Sequence, residues 1–192
     1  MKRNQYTLGK PISFKGNGLH SGIPVTITMR PAPAGSGIIF RRIDLTGAPE
    51  VPAKSEFVTN TLRATTLERG GAKVFTVEHI LSALFALRID NCILEMDAPE
   101  PPVADGGALT FSQMILEAGI MELEEQTDIL TLETSVAVYE DNKFITALPY
   151  DGLRITFTSI NPHPLLGTQM KDFTIDKETY IREIAPSRTI GF

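Results

Sequence analysis

The stretch Phe75-Thr76-Val77-Glu78-His79-Ile80-Leu81-Ser82-Ala83-Leu84-Phe85-Ala86-Leu87 decides how the rest of the chain is read. Val77, Ile80, Leu81, Leu84 and Phe85 stand at i, i+3, i+4, i+7 and i+8, the spacing of a helix with one face in a core. Thr76 is placed to be its N-cap. Ser82, Ala83 and Ala86 on the other side are small enough for a second element to pack closely, so the helix is expected to be enclosed nearly all round. Yet its first turn carries Glu78 and His79. Two ionisable side chains on a mostly buried helix are costly unless they are paired or bound to a metal, which marks a candidate site. The partial positive charge of a helix N-terminus favours carboxylate and neutral imidazole, the forms that a general base and a metal ligand need. The plainer alternative is a Glu78 that only complements the macrodipole and a His79 satisfied within the core. For a Glu-His pair taken alone, that alternative has the better odds, because charge in a first turn is common.

Working outward, residues 6 to 75 read as β-structure. Val25-Thr26-Ile27-Thr28-Met29-Arg30 alternates strictly, and Gly37-Ile38-Ile39-Phe40 follows a turn-rich segment of prolines and glycine. Shorter strands are expected near Ile12 to Phe14, Ala64 to Glu68 and Lys73 to Phe75. After the helix come a strand at Asn91 to Met96, a proline-rich extended run at Ala98 to Val103, the loop Ala104-Asp105-Gly106-Gly107, and a helix at about Thr110 to Ala118. The charged stretch Glu122 to Asp128 reads as a link. Beyond it, strands are expected at Ser135 to Tyr139, Lys143 to Leu148, Leu153 to Thr158 and Lys171 to Thr174, then a short helix from an Asp176 cap to Ile184. Thr26 to Pro31 followed by Gly37 to Phe40 is echoed by Phe144 to Pro149 followed by Gly152 to Ile155, a weak sign of duplication. The terminus, Ser187-Arg188-Thr189-Ile190-Gly191-Phe192, is apolar, and a lone helix would cover the second sheet. The chain is therefore expected to be cut short at its C-terminus.

Composition narrows the function. A chain of 192 residues, 42% hydrophobic, can bury a real core in one domain or two small ones. It has 18 basic against 23 acidic residues, a net charge of −5 and no basic run, so nucleic acid is not an expected partner. A single cysteine, Cys92, rules out a disulfide framework within the chain and reads as core. No apolar run approaches the roughly 18 residues of a membrane span, and the N-terminus lacks the apolar segment of a signal peptide. The expectation is a soluble, cytoplasmic monomer that touches a membrane surface only transiently, if at all.

Few residues could do chemistry. His20 lies in Gly16-Asn17-Gly18-Leu19-His20-Ser21-Gly22, whose glycines allow tight turns and close approach to a ligand. Such a loop is more often only a turn, and it lacks the Lys-Ser/Thr of a P-loop; no dinucleotide fingerprint occurs either. His163, in Asn161-Pro162-His163-Pro164, reads as an exposed loop residue. A catalytic zinc needs about three protein ligands and an open position. Glu78-His79 has Ala83, not histidine, at i+4 of His79, so further ligands must come from elsewhere.

The glycine loop Gly16 to Gly22, Arg30-Pro31-Ala32-Pro33, Phe40 to Leu45, Thr76 to Leu84, Ile89-Asp90-Asn91, Asp97-Ala98-Pro99-Glu100, Asp105-Gly106 and Ser187 to Phe192 occur in one order and spacing. Jointly they resemble the UDP-3-O-acyl-N-acetylglucosamine deacetylases of lipid A biosynthesis, over the whole chain. The resemblance implies an α+β fold of two similar domains, each a β-sheet layered with helices, with the active site between them. Residues 1–125 would form the first domain and 129–192 the start of an incomplete second. It implies zinc-dependent hydrolysis of the N-acetyl group of an acylated UDP-N-acetylglucosamine. His79 would be a zinc ligand, Glu78 the general base, and Thr189 a donor to the oxyanion. His20 would lie near the metal as an auxiliary. Asp105 matches a motif position that either orients a loop or contacts the site.

For the acyl chain, Leu19, Leu62, Ile190 and Phe192 are candidate contacts; ordinary core is the alternative for each and the preferred one for Leu62. The family's remaining zinc ligands, its acidic histidine and its phosphate-binding lysines would lie beyond Phe192, so the fragment is expected to be inactive alone. Two other readings stand beside this one: a phosphate- or nucleotide-binding enzyme using Gly16 to Gly22, and a non-catalytic paralogue that keeps the fold.

Overall fold

The computed structural model describes residues 2–189. Eight strands lead to the first helix: β1 (Lys2–Leu8), β2 (Ile12–Asn17), β3 (Pro24–Pro31), β4 (Ile38–Arg42), β5 (Glu50–Pro52), β6 (Val58–Asn60), β7 (Thr66–Arg69) and β8 (Ala72–Phe75). Then come α1 (Glu78–Ala86), β9 (Cys92–Met96), α2 (Leu109–Ala118) and β10 (Ile120–Asp128). The second half holds β11 (Val136–Glu140), β12 (Lys143–Ala147), β13 (Arg154–Ile160) and β14 (Thr168–Thr174), followed by a helical turn, Lys177–Thr179, that runs on as a wider turn of π type, Tyr180–Ile184.

The main sheet has the order β2-β3-β9-β4-β5, with β9 antiparallel to β3 and parallel to β4. The strict alternation of β3 is what fixes its register: Val25, Ile27 and Met29 are buried, and Ile27 and Met29 stand opposite Met96 and Leu94 of β9. A slip of one residue would turn that whole set to solvent. On the other face, Arg30, Glu95, Arg41 and Glu50 form a chain of ion pairs across β3, β9, β4 and β5. Ile80, Ala83 and Leu84 of α1, Phe111, Met114 and Ile115 of α2, and Leu67 and Val74 of the β6-β7-β8 sheet join the main sheet in one hydrophobic cluster. The chain is thus an α+β structure of sheets layered with helices. Cys92 lies inside this cluster, where burial pushes its thiol up to about 12, so it is a core residue.

Three sequence expectations need correction. Phe85 is not on the buried face: it is 70% exposed, while the small Ala83 is fully buried. The i, i+3, i+4 pattern cannot say which edge of a wide apolar stripe is packed, and here the edge with Ala83 is. Glu122 to Asp128 is not a linker but most of β10, paired antiparallel with β1 from Leu8↔Ile120 to Lys2↔Asp128. A two-stranded ribbon wet on most sides shows no hydrophobic alternation, so its charges read as a loop. Thr76 does not cap α1; the N-cap position is Val77, with no side-chain cap. The cap of the later helical turn is as expected, with Asp176 Oδ1 accepting from the Thr179 N–H at 2.7 Å.

In the second half, β11 pairs with β12 and β13 with β14, and among the described residues no strand lies between β12 and β13. The first half has the same succession of hairpins, β2-β3 and β4-β5, but with β9 inserted between β3 and β4. Val138, Phe144, Ile145 and Phe157 of the second-half hairpins are exposed.

Leu84→Ala is expected to lower the unfolding free energy by about 2–5 kcal/mol through transfer and cavity costs. Phe85→Ala should change it by no more than about 0.5 kcal/mol, as exposed sites do. Urea denaturation of both variants checks which face of α1 is packed.

Candidate active site

The head of α1 is fixed before the helix starts. The Phe75 N–H donates to the Pro99 carbonyl at 3.1 Å, pinning the end of β8 to the proline-rich run. Thr76 then takes φ +57°, a left-handed conformation that a β-branched residue rarely adopts. Its hydroxyl is spent on Glu100, donating to Oε1 at 2.8 Å, which is why it does not cap the helix. One residue after Val77, Glu78 opens α1 half-buried, and its Oε2 accepts the Thr65 N–H at 3.0 Å. His79, also half-buried, is next to it.

Glu78 and His79 line a cleft of about 200 Å³ with Ser82, Ala108, Ile184 and Ser187. The far wall comes from residues a hundred positions later, and three contacts bring it there. The buried Tyr180 shares a 2.6 Å hydrogen bond between its hydroxyl and that of Ser82. The Ala108 N–H donates to the Ala185 carbonyl at 2.9 Å, and the Thr189 N–H to the Gly106 carbonyl at 2.8 Å. Gly107 is required for this docking: a Cβ there would stand 2.7 Å from the Ala185 oxygen and 2.8 Å from that of Ser187. In the same loop, Asp105 Oδ1 accepts from the Thr110 N–H at 3.3 Å near the start of α2. Thr189, exposed, follows two residues after the cleft-lining Ser187. A larger hollow, about 400 Å³, runs along the β7-β8 turn from Glu68 to Lys73 and gathers no nucleophile or metal-ligating cluster.

The glycine loop is gathered around a carboxylate of the chain itself. Glu100 has no solvent exposure, and it accepts from the His20 N–H at 3.0 and 3.2 Å and from the Ser21 N–H at 2.8 Å. Burial works against the charged form of Glu100, but these donations, with the Ser21 and Thr76 hydroxyls, outweigh it and hold the carboxyl below the usual range. Two further amides of the loop are engaged, Gly18 donating to Ile23 and Gly22 to Gly18, and just past it Ile23 donates to the Ser21 hydroxyl. A phosphate cradle would need those donors, so the geometry speaks against the phosphate-binding alternative. Leu19 is 39% exposed beside His20, itself exposed. Leu62 is 80% exposed, which overturns the preferred reading of it as core. Ile190 and Phe192 lie outside the described residues. His163 is exposed in its loop, as expected.

The fit to zinc is partial. His79 is placed at the cleft, but among the described residues no three His, Cys, Asp or Glu side chains converge. These residues alone do not complete a zinc site. Thr65, Glu100, Tyr180 and Ser187 were not singled out as site residues from the sequence; Glu100 and Tyr180 act through partners 80 and 98 positions away. Among the described residues no helix is long and apolar enough to cross a membrane.

Fold and site define an α+β protein with a carboxylate and an imidazole at a helix head, facing a cleft closed by a distant segment of the chain. The family model described as LpxC, UDP-3-O-acyl N-acetylglycosamine deacetylase, matches residues 5–192. The chain belongs to this family. It is 42% identical over 189 residues to the UDP-3-O-acyl-N-acetylglucosamine deacetylase of Myxococcus xanthus, covering 98% of this chain and 60% of that protein. Against the deacetylase of the same name from Legionella pneumophila (strain Corby) the identity is 42% over 190 residues, covering 98% and 62%. Against the bifunctional enzyme LpxC/FabZ of Chlorobaculum tepidum it is 43% over 192 residues, covering 98% and 41%. The chain thus spans from 41% to 62% of the length of these relatives.

Gly107→Ala is expected to push the 185–187 segment off its seat and destabilise the protein by about 1–3 kcal/mol, the usual cost of overpacking. Thermal melting and amide exchange at Thr189, which should speed up, check this outcome.

Proposed function

We propose that the whole protein containing these 192 residues is a zinc-dependent amide hydrolase that removes the N-acetyl group of UDP-3-O-acyl-N-acetylglucosamine in lipid A biosynthesis. The observation that carries this reading is the shared cleft, where Glu78 and His79 face the segment leading to Thr189, in a chain of this family. The protein is cytoplasmic and monomeric, and meets a membrane surface only transiently.

His79 is one zinc ligand; the others come from parts of the protein outside these residues. Zinc, when bound, supplies Lewis-acid polarisation of a carbonyl and makes water acidic enough to attack near neutral pH. Glu78 is the general base. Its Oε2 is anchored on the Thr65 N–H, and a carboxylate so anchored keeps a second oxygen for the proton of the attacking water. The amide of Thr189 is committed to Gly106, so its side-chain hydroxyl is the donor to the developing oxyanion. One such donor is worth about 2.7–4 kcal/mol. A general acid outside these residues protonates the amine nitrogen as the C–N bond breaks, and the acetyl group remains as acetate. His20 and Asp105 act from the edge of the site, His20 beside the metal and Asp105 through the loop that receives the 185–189 segment. Leu19, Leu62, Ile190 and Phe192 contact the acyl chain; the exposure of Leu19 and Leu62 supports this for those two.

Residues 1–125 form the first of two similar domains, and 129–192 begin the second. The matching succession of hairpins and the exposed apolar side chains of β11 to β13 support a second sheet that the rest of the protein completes.

In the whole protein, Glu78→Gln is expected to lower kcat by about 10²–10⁴-fold while zinc stays stoichiometric, measured by acetate release and metal analysis. Unchanged turnover would remove Glu78 from its role. The 192 residues alone should bind zinc weakly and release no acetate; tight stoichiometric zinc with turnover would contradict the proposed ligand set.

A further inference from the structure

We propose that Glu100 is a positioning residue for the site, holding the loop that carries His20 and the left-handed turn that aims Glu78 and His79 against one another. The inference rests on the reading above for what the site does, but its geometry stands by itself.

A carboxylate without solvent exposure is unfavourable unless its oxygens are well supplied with donors. Here both oxygens are used: Oε1 takes the Thr76 hydroxyl and the His20 N–H, and Oε2 takes the N–H groups of Ser21 and His20. Two segments separated by more than fifty residues therefore meet on one side chain. The room for it is made by Gly18, where a Cβ would lie 2.3 Å from Oε2 and 2.3 Å from the Ser21 hydroxyl oxygen. The flanking backbone ties the same three segments together, with Val103 donating to the Asn17 carbonyl at 2.8 Å and Phe75 to that of Pro99.

The consequence for the site lies in Thr76. A β-branched residue at φ +57° persists only where its surroundings hold it, and the bond to Glu100 is the side-chain contact that does so. Two residues later the helix presents Glu78. Releasing Thr76 to an ordinary conformation would rotate the start of α1 and swing Glu78 and His79 relative to the cleft. Releasing the His20 and Ser21 amides would let the glycine loop drift from the same place. Supporting partners of this kind typically change activity by about 10–100-fold when removed.

The test uses the whole protein carrying Glu100→Gln, which keeps the shape but sets an amide N–H₂ against N–H donors, and Thr76→Val, which keeps the shape and removes the hydroxyl alone. For both, kcat is expected to fall by about 10–100-fold with KM little changed, and Thr76→Ser to restore it. NMR amide shifts should move at His20, Ser21, Glu78 and His79 and not at Cys92 or Leu94. If Glu100→Gln does not fold, Thr76→Val carries the test. Unmoved shifts at Glu78 and His79 in a folded variant would overturn the inference, as would unchanged kcat in both variants. Should the unsubstituted protein release no acetate, the proposed activity fails while the shifts still decide the role of Glu100.

Discussion

The geometry of the candidate site depends on how a buried negative charge is satisfied. Glu100 lies wholly out of solvent between the glycine loop and the head of α1, and its two oxygens take every donor those segments aim at it. An ionised group in that position would be costly if any of those donors were lost, so the loop, the left-handed Thr76 and the start of the helix are held as a set. Helix α1 is short, nine residues, and isolated helices of that length are marginal. Its position comes from the packing of Ile80, Ala83 and Leu84 below and from this polar clasp at its head.

Many of the residues that link the chain to its family have structural work elsewhere. Arg42, nearly buried, binds both oxygens of Asp44 and the Lys73 carbonyl. Asp90 takes a bidentate pair from Arg3 and the Tyr6 N–H, while Asn91 bonds Gly37 and Gln5. Asp97 accepts from the Thr26 N–H on β3. The Asp90, Asn91 and Asp97 contacts tie segments more than fifty residues apart in sequence. The fold spends many polar residues on joining segments, while Glu78 and His79 line the cleft closed by the 184–187 segment.

What could be read from the residues follows from the range of the interactions involved. The alternation of β3 and the periodicity of α1 are local, so the strand, the helix and the buried Ile80 and Leu84 were legible. The Glu-His pair at the helix head stood out because charge conflicts with burial there. Phe85 was misread because periodicity marks a stripe without saying where its edge falls, and β10 because its partner, β1, is more than a hundred residues away. Glu100 was legible only as part of the Asp97-Ala98-Pro99-Glu100 motif, without a role, because its donors at His20 and Ser21 are 80 and 79 positions distant. The glycine loop read more as a turn than as a ligand cradle, and no local pattern reveals that it closes around a carboxylate of the chain itself.

The central claim is that the Glu78-His79 pair faces a metal in a cleft shared with the segment leading to Thr189. Anomalous diffraction at the zinc edge from crystals of the whole protein measures this most directly. The account predicts a peak about 2.0–2.1 Å from an imidazole nitrogen of His79, inside the cleft lined by Ser82 and Ser187. A zinc peak elsewhere, with His79 turned to bulk solvent, would contradict it.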